Sequence, residues 1–355
     1  MVQNVLVKIL LMPISLLYGL VVSLRNGMYK RGFLKGFTFN LPVISVGNLT
    51  VGGTGKSPHI EMLIRMLNPY INIATLSRGY GRKSKGYLEI NENHNAEQAG
   101  DEPLQFKRKF PDVLVTVAES RSLGIPKIVQ AHPNTQTILL DDAFQHLAIN
   151  PSLNILLTEY SKPFSEDFLL PSGRLREWRS AYVRANVIIV SKCPPEMTLD
   201  QKEMIIEKIK PLPEQQVFFT YYEYENPRSI FNPANQILLS EDHDIVLNCA
   251  IAGTDYLLSY LNDRVNFIKM LEYEDHHYFS NFEVAQLGKI YQNIPSDKKI
   301  ILTTEKDAMR LEIHKSYLLE NALPVYVLPI KVAFHFDEEK TFQNLVQNHL
   351  LEFKR

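Results

Sequence analysis

The segment Thr50–Ser57, TVGGTGKS, sets a lysine and a hydroxyl directly behind a glycine-rich run. A run of that kind lets backbone N–H groups close on phosphate oxygens, with the lysine ammonium on the β and γ oxygens and the serine hydroxyl on Mg²⁺. The segment fits the pattern GxxxxGK[ST] except that Thr50 stands at the first glycine position. Gly52, Gly53 and Gly55 must then supply the close approach, with Val51 and Thr54 between them and Lys56 and Ser57 as the reaching groups. A second signal is QTILLDD, where the apolar Ile138, Leu139 and Leu140 run into Asp141 and Asp142. Carboxylates at a strand's C-terminal end sit where open α/β sheets bind ligands, so one or both are candidates to hold Mg²⁺, directly or through water. Spacing does not decide between the two.

Other chemistry-bearing residues fall in loop-like stretches. Arg78 and Arg121 are candidates for phosphate oxygens because a planar guanidinium binds them in a fork, although a lone arginine is more often a solvated charge. Asp101 and Glu102 of GDEP suit a turn or helix start as well as a catalytic pair. His146, four residues past Asp142, could orient nucleotide or metal-bound water, or pack at a helix start. Arg174 and Arg176, in PSGRLREW, are open to a substrate or phosphate role; Trp178 beside them, the sole tryptophan, is open to packing or to contact with acyl chains.

These residues need a frame. LPVISVGN reads as a buried strand before the glycine-rich loop, and HIEMLIRML after it has helical apolar spacing. ANVIIVSK reads as a further buried strand, and QKEMIIEKIK as a helix. The aromatic and polar alternation of QVFFTYYEYENP reads as a hairpin or linker. Beyond it, IVLNCAIAG, VNFIKMLEY, KKIILTTEKD and PVYVLPIKV alternate with helical stretches. The expected fold is α/β: a P-loop NTPase-like parallel sheet with helices on both faces, a second smaller α/β domain, and an N-terminal membrane-associated helix. The expected division is 1–35 for that helix, 36–215 for the kinase domain, 216–230 for the linker and 231–355 for the C-terminal domain.

Composition narrows the function classes. The chain has 355 residues, 38 Lys and Arg against 39 Asp and Glu, and two cysteines, Cys193 and Cys249. A net charge of -1 gives no general attraction to nucleic acid, and two isolated cysteines support neither a disulfide framework nor a four-ligand zinc site. The charge is unevenly placed. No acidic residue occurs from Met1 to Ile60, where Lys8, Arg25, Lys30, Arg31, Lys35 and Lys56 surround the apolar run Ile9–Leu24. A run of sixteen residues makes a helix of about 24 Å, short against a hydrocarbon core of about 30 Å, and Pro13 and Gly19 interrupt it. A helix lying in an anionic interface is the reading preferred here over a buried core helix or a full span.

Taken together, VGNLTVGGTGKSP, SRGYG, QAGDEP, ESR, DDAFQH, LLPSGRLREW, the DHH at Asp275–His277 and TTEKDA at Thr303–Ala308 resemble the tetraacyldisaccharide 4'-kinase family, in order over most of the chain. The family more often has Gly than Ala at position 143, and often threonine where Ser57 stands. The resemblance implies transfer of the ATP γ-phosphate to the 4'-hydroxyl of tetraacyldisaccharide 1-phosphate, giving the 1,4'-bisphosphorylated lipid A precursor, lipid IVA. It further implies Mg²⁺, action at the cytoplasmic face of the bacterial inner membrane, and no nucleic-acid or obligate protein partner. It makes Asp101 the base and His276 the histidine that pairs with it, the latter expected from the C-terminal domain. Without the resemblance, His276 and His277 read as surface histidines near a strand end. The competing readings are a membrane-recruited nucleotide-dependent switch or assembly factor without lipid kinase activity, and a soluble small-molecule kinase. The guanine signature [NT]KxD of a GTPase switch is missing, SKCP and TEKD being the nearest strings.

Overall fold

A computed structural model describes residues 5–353. The chain forms two compact units, both discontinuous: Met1–Arg78, Thr116–Tyr222 and Val332–Arg355 make one, Gly79–Val115 and Glu223–Lys331 the other. The expected linear division placed 79–115 with the phosphate loop and 332–355 with the C-terminal domain, and the structure assigns both segments the other way. Of the four cuts, one follows Arg78, just past the strand Ile73–Ser77, and the other three fall inside the strands Leu114–Val117, Gln216–Tyr224 and Ile330–Phe334. No linker composition marks those three, which is why they are invisible in the sequence.

The first unit is built on parallel strands in the order Gln216–Tyr224, Val187–Ser191, Leu153–Glu159, Val43–Asn48, Thr137–Asp141, Ile73–Ser77. Val43–Asn48, Thr137–Asp141 and Val187–Ser191 are buried at every position, as strands of a parallel sheet covered on both faces must be. Register fixes the site: Val46 pairs with Asp141, so the phosphate loop and the Asp141–Asp142 pair leave the sheet at the same edge. Gln216–Tyr224 is a strand parallel to Val187–Ser191, and not a hairpin or linker. Its aromatics alternate because Phe218 meets Phe342 edge-on at 5.3 Å, while Phe219 joins the core cluster of Leu156, Ile188 and Cys193.

The N-terminal helix, Val5–Lys30, is 26 residues long with Pro13 inside it, about 39 Å at 1.5 Å per residue. It is turned inside out for a water-soluble helix. Its polar residues face protein: Ser15 Oγ donates to Leu169 O at 3.1 Å, Tyr18 to Arg176 O at 2.9 Å, and Asn26 to Glu177 at 2.7 Å. Its apolar residues face out, with Leu10, Leu17, Leu20, Val21 and Leu24 61% to 75% exposed. A core helix would show the reverse pattern, so that reading falls away.

Trp178 packs on this helix, its indole N–H within 3.1 Å of Gly19 O and 2.8 Å of Ser23 Oγ. A Cβ on Gly19 would stand 2.4 Å from the indole ring and 2.7 Å from Leu169. Gly19→Leu is therefore expected to cost about 1–3 kcal/mol by overpacking. Thermal unfolding in detergent checks it: the Gly19→Leu midpoint should fall while that of Leu20→Ala, on the exposed face, holds. Equal midpoints would mean that the helix does not dock here.

The second unit carries parallel strands in the order Phe267–Glu272, Asp244–Cys249, Lys299–Thr304, Val325–Leu328, with Arg228–Ser229 antiparallel at the edge. The chain leaves Cys249 into Ala250, Glu272 into Tyr273–Tyr278, and Thr304 into the helix Glu305–Leu311, all at the C-terminal edge of this sheet. Thr304 caps that helix, accepting from Asp307 N at 3.2 Å. The helix Asp101–Lys109 belongs to the same unit.

Candidate active site

In the first unit the phosphate loop is bound at its rear and open at its front. Thr50 bridges to Leu175, Val51 N–H donates to Arg174 O at 2.7 Å, and Asn48 Nδ2 donates to Thr54 Oγ1 at 2.8 Å. Ser191 Oγ donates to Thr54 O at 2.8 Å. Val51, Gly52 and Gly53 remain exposed. The helix Lys56–Leu67 begins at Gly55 with no side-chain cap and no acidic residue in its first turn. First-turn N–H groups and the positive end of the helix dipole are thus left for an anion. His59, which sequence reasoning passed over, steadies this start: Nδ1–H donates to Gly55 O at 2.7 Å and Nε2 accepts from Thr220 Oγ1 at 3.0 Å. Burial pushes its imidazole down to about 4, so it stays neutral.

Asp142 is the electrostatic centre of this group. Its backbone takes φ 46, left-handed for a non-glycine residue, which aims the carboxylate toward Lys56 and Arg176. Arg176 forks onto both oxygens at 2.8 and 3.1 Å and also reaches Asn48, donating to its carbonyl at 3.0 Å and to its side-chain oxygen. Lys56 Nζ lies 3.8 Å away. Burial would raise the Asp142 carboxyl, but Lys56 and Arg176 outweigh it and hold the group far below the usual carboxylate range. Asp141 is buried, and Arg121 donates to the carbonyls of Asp141 and Asp142 at 3.3 and 3.2 Å.

The second unit assembles a different centre around Asp101. Gly100, just before it, sits at φ +89, and a Cβ there would come within 3.1 Å of the Gly79 backbone. Only glycine fits, and it delivers Asp101 to the first turn of its helix, where Oδ1 accepts from Glu102 N at 2.9 Å. Oδ2 accepts from His276 Nδ1 at 3.0 Å and from Arg310 Nη1. Arg310, wholly buried, also pairs with Asp307 and donates to Ala250 O at 3.0 Å. Burial raises the Asp101 carboxyl, yet His276, Lys306 and Arg310 together bring it down to about 2. It is an ionised carboxylate whose Oδ1 has no side-chain donor among the described residues, the arrangement needed to receive a hydroxyl.

The predicted residues thus sort themselves by place. Lys56, Asp142 and Arg176 meet at the phosphate loop, whose first helical turn includes Ser57. Asp101 and His276, expected from different domains, meet in one unit, and Glu102 lies 3.6 Å from Lys306 beside them. Arg174 turns away from the loop, pairing with Asp167 at 2.8 Å, and Arg78 is exposed just past Ile73–Ser77. His146 is held neutral, pushed down to about 4 by burial and then by Arg121, Arg25 and Arg78. Sequence reasoning missed Asn48, Arg310 and the partners of Lys306. Lys306 and Arg310, one helical turn apart beside Asp307, carried the signal: two cations at i and i+4 in a buried segment need acids to meet.

A family model described as tetraacyldisaccharide-1-P 4'-kinase matches residues 7–351. Among similar proteins, the tetraacyldisaccharide 4'-kinase of Flavobacterium johnsoniae is 42% identical, covering 99% of this chain and 99% of its own. That of Phocaeicola vulgatus is 40% identical, covering 97% and 96%. A crystal structure of LpxK from Aquifex aeolicus in complex with ATP superposes with a TM-score of 0.72 at 29% identity, covering 97% of this chain and 99% of that one.

Proposed function

The chain belongs to the tetraacyldisaccharide-1-P 4'-kinase family, and on that footing we propose that it moves the ATP γ-phosphate to a sugar hydroxyl, with the phosphate loop as the nucleotide site and Asp101 as the group that receives the hydroxyl proton. The reaction is ATP-dependent phosphorylation of the 4'-hydroxyl of tetraacyldisaccharide 1-phosphate, giving lipid IVA. The open loop Val51–Gly55 and the uncapped first turn bind the phosphates, and Lys56 transfers its charge from Asp142 to the β and γ oxygens. The donor set suits Mg²⁺: Ser57, Asp141 and Asp142 offer hard oxygens. Among the described residues no group of three or more His, Cys, Asp or Glu side chains forms an ion cage, so the ion would share its coordination with nucleotide phosphates and water. Bound there, it would neutralise charge on the β and γ oxygens.

The observation that carries the reading is Asp101, a buried carboxylate with Oδ2 doubly held and Oδ1 engaged by the Glu102 N–H, which leaves Oδ1 a lone pair for the acceptor. A carboxylate near 2 is a weak base in the ground state. In a loose phosphoryl-transfer transition state the hydroxyl proton departs late, so Asp101 acts by aiming the oxygen lone pair in line and taking the proton as the new P–O bond forms. The acceptor is a lipid, and each CH₂ drawn out of a bilayer costs about 0.8 kcal/mol. The outward apolar face of Val5–Lys30, with Arg25, Lys30, Arg31 and Lys35 following, supports work at the anionic cytoplasmic face of the inner membrane.

The test is transfer of γ-³²P from ATP to purified tetraacyldisaccharide 1-phosphate in detergent with Mg²⁺. Labelled bisphosphorylated lipid is the expected product. ATP hydrolysis with no labelled lipid would favour a nucleotide-dependent switch or assembly factor instead.

A further inference from the structure

His276 is gripped on every side that a ring offers. Nδ1 meets Asp101 Oδ2 at 3.0 Å, Nε2 meets Lys306 Nζ at 3.1 Å, and the Tyr80 ring lies 4.6 Å away at 47°. Its backbone is left-handed at φ 63, with its N–H directed to Ala250 O at 3.3 Å. An ammonium only donates and a carboxylate only accepts. One arrangement satisfies both neighbours: a lone pair on Nε2 facing Lys306 and a hydrogen on Nδ1 facing Asp101. We propose that Lys306 is a positioning residue for the transfer reaction, fixing His276 in the Nδ1–H tautomer that steadies Asp101.

Lys306 is itself placed for this task, at 3.1 Å from Asp275 Oδ1 and 3.6 Å from Glu102 Oε1, in the first turn of the helix that also supplies Arg310. Those two acids would neutralise the ammonium without its bond to the ring, so that bond is an additional use of the charge; Asp275 Oδ2 also lies 3.8 Å from Nε2, beyond hydrogen-bond distance, and would draw a proton to Nε2 once the closer ammonium is gone. Without it the proton is free to move to Nε2, which turns a nitrogen lone pair toward the lone pairs of Asp101 and releases the carboxylate from its aim.

This inference rests on Asp101 being the base, and the experiment separates the two. Lys306→Met is expected to lower kcat about 10- to 100-fold with the KM for ATP unchanged, and Lys306→Arg, which still only donates, should recover most of it. Lys306→Met combined with His276→Ala should be only slightly slower than His276→Ala alone, because Lys306 acts mainly through the ring and only the direct pull of its charge on Asp101 is then left to lose. In ¹⁵N-histidine spectra of the full chain, His276 should show the Nδ1–H pattern in wild type and a tautomer mixture in Lys306→Met. Additive losses in the double variant, or an unchanged nitrogen pattern in Lys306→Met, would overturn the proposal. Should the methionine variant not fold, the wild-type pattern decides alone, an Nε2–H tautomer overturning it. If Asp101→Asn keeps turnover, it is the reading of the base that fails; if Asp101→Asn loses turnover while the Lys306 losses are additive, only the role of Lys306 fails.

Discussion

Asp101→Asn lowers turnover on tetraacyldisaccharide 1-phosphate by about 10²- to 10⁴-fold, and leaves the affinity for ATP within about twofold of wild type. This is the largest effect expected of a single oxygen-to-nitrogen change in the chain. The amide keeps the size of the side chain, and its oxygen can still accept from Arg310 and His276, so the buried guanidinium is not stranded. What is lost is the acceptor at Oδ1, replaced by an NH₂ that cannot receive the sugar proton and that faces the Glu102 N–H, donor to donor, so the measurement is made on protein shown to be folded. His276→Ala should fall less, because Arg310 and Glu102 N still hold the carboxylate. In the proposed reading ATP is held by the phosphate loop of the first unit, so its affinity should not follow either change. A folded Asp101→Asn protein with turnover within threefold of wild type would remove Asp101 from the role of base.

Much of the nucleotide half was legible in the sequence, because strand, glycine-rich loop and helix are contiguous there. Local order and chemistry coincide over a dozen residues from Val43 to Ser57, and the apolar run before Asp141 announces its strand without help from tertiary structure. The centre around Asp101 is assembled from three separated segments: Gly79–Asp101, Tyr273–His276 and Glu305–Arg310. Nothing in the spacing of GDEP and DHH says that they meet 175 positions apart; only the resemblance joined Asp101 to His276. It could not supply Arg310, whose burial depends on packing against Ala250 and Asp307. The discontinuous units were hidden for a related reason. A chain that crosses from one unit to another within a strand keeps the periodicity of that strand, so the composition does not change at the crossing.

The N-terminal helix shows how a pattern can be legible in type and not in orientation. Its apolar run was plain, yet Ser15, Tyr18, Ser23 and Asn26 were the informative residues, since their polar groups face the protein. For a helix in water those residues would mark the outside. Here they mark the inside, and the solvent that the outer face suits is hydrocarbon.

Lys56→Ala separates the phosphate-binding charge from the charge that holds the loop together. In the structure Asp142 leans on Arg176, which forks onto it at 2.8 and 3.1 Å, and only loosely on Lys56 at 3.8 Å. Removing Lys56 leaves that fork intact, so the thermal midpoint should hold while transfer falls about 10²- to 10³-fold and the KM for ATP rises, the charge on the γ-phosphate having lost its cation. Arg176→Ala should behave differently. It strips Asp142, whose backbone is already left-handed, of both hydrogen bonds and Asn48 of one of the two side-chain donors on its carbonyl, Gln145 Nε2 remaining at 2.9 Å. A lower midpoint should therefore accompany its loss of activity. If Lys56→Ala instead destabilised the fold as much as Arg176→Ala, the lysine would be a structural partner of Asp142, and phosphate neutralisation would have to come from elsewhere. A stable, ATP-binding Lys56→Ala protein with little transfer is what a lysine resting on Asp142 between turnovers requires.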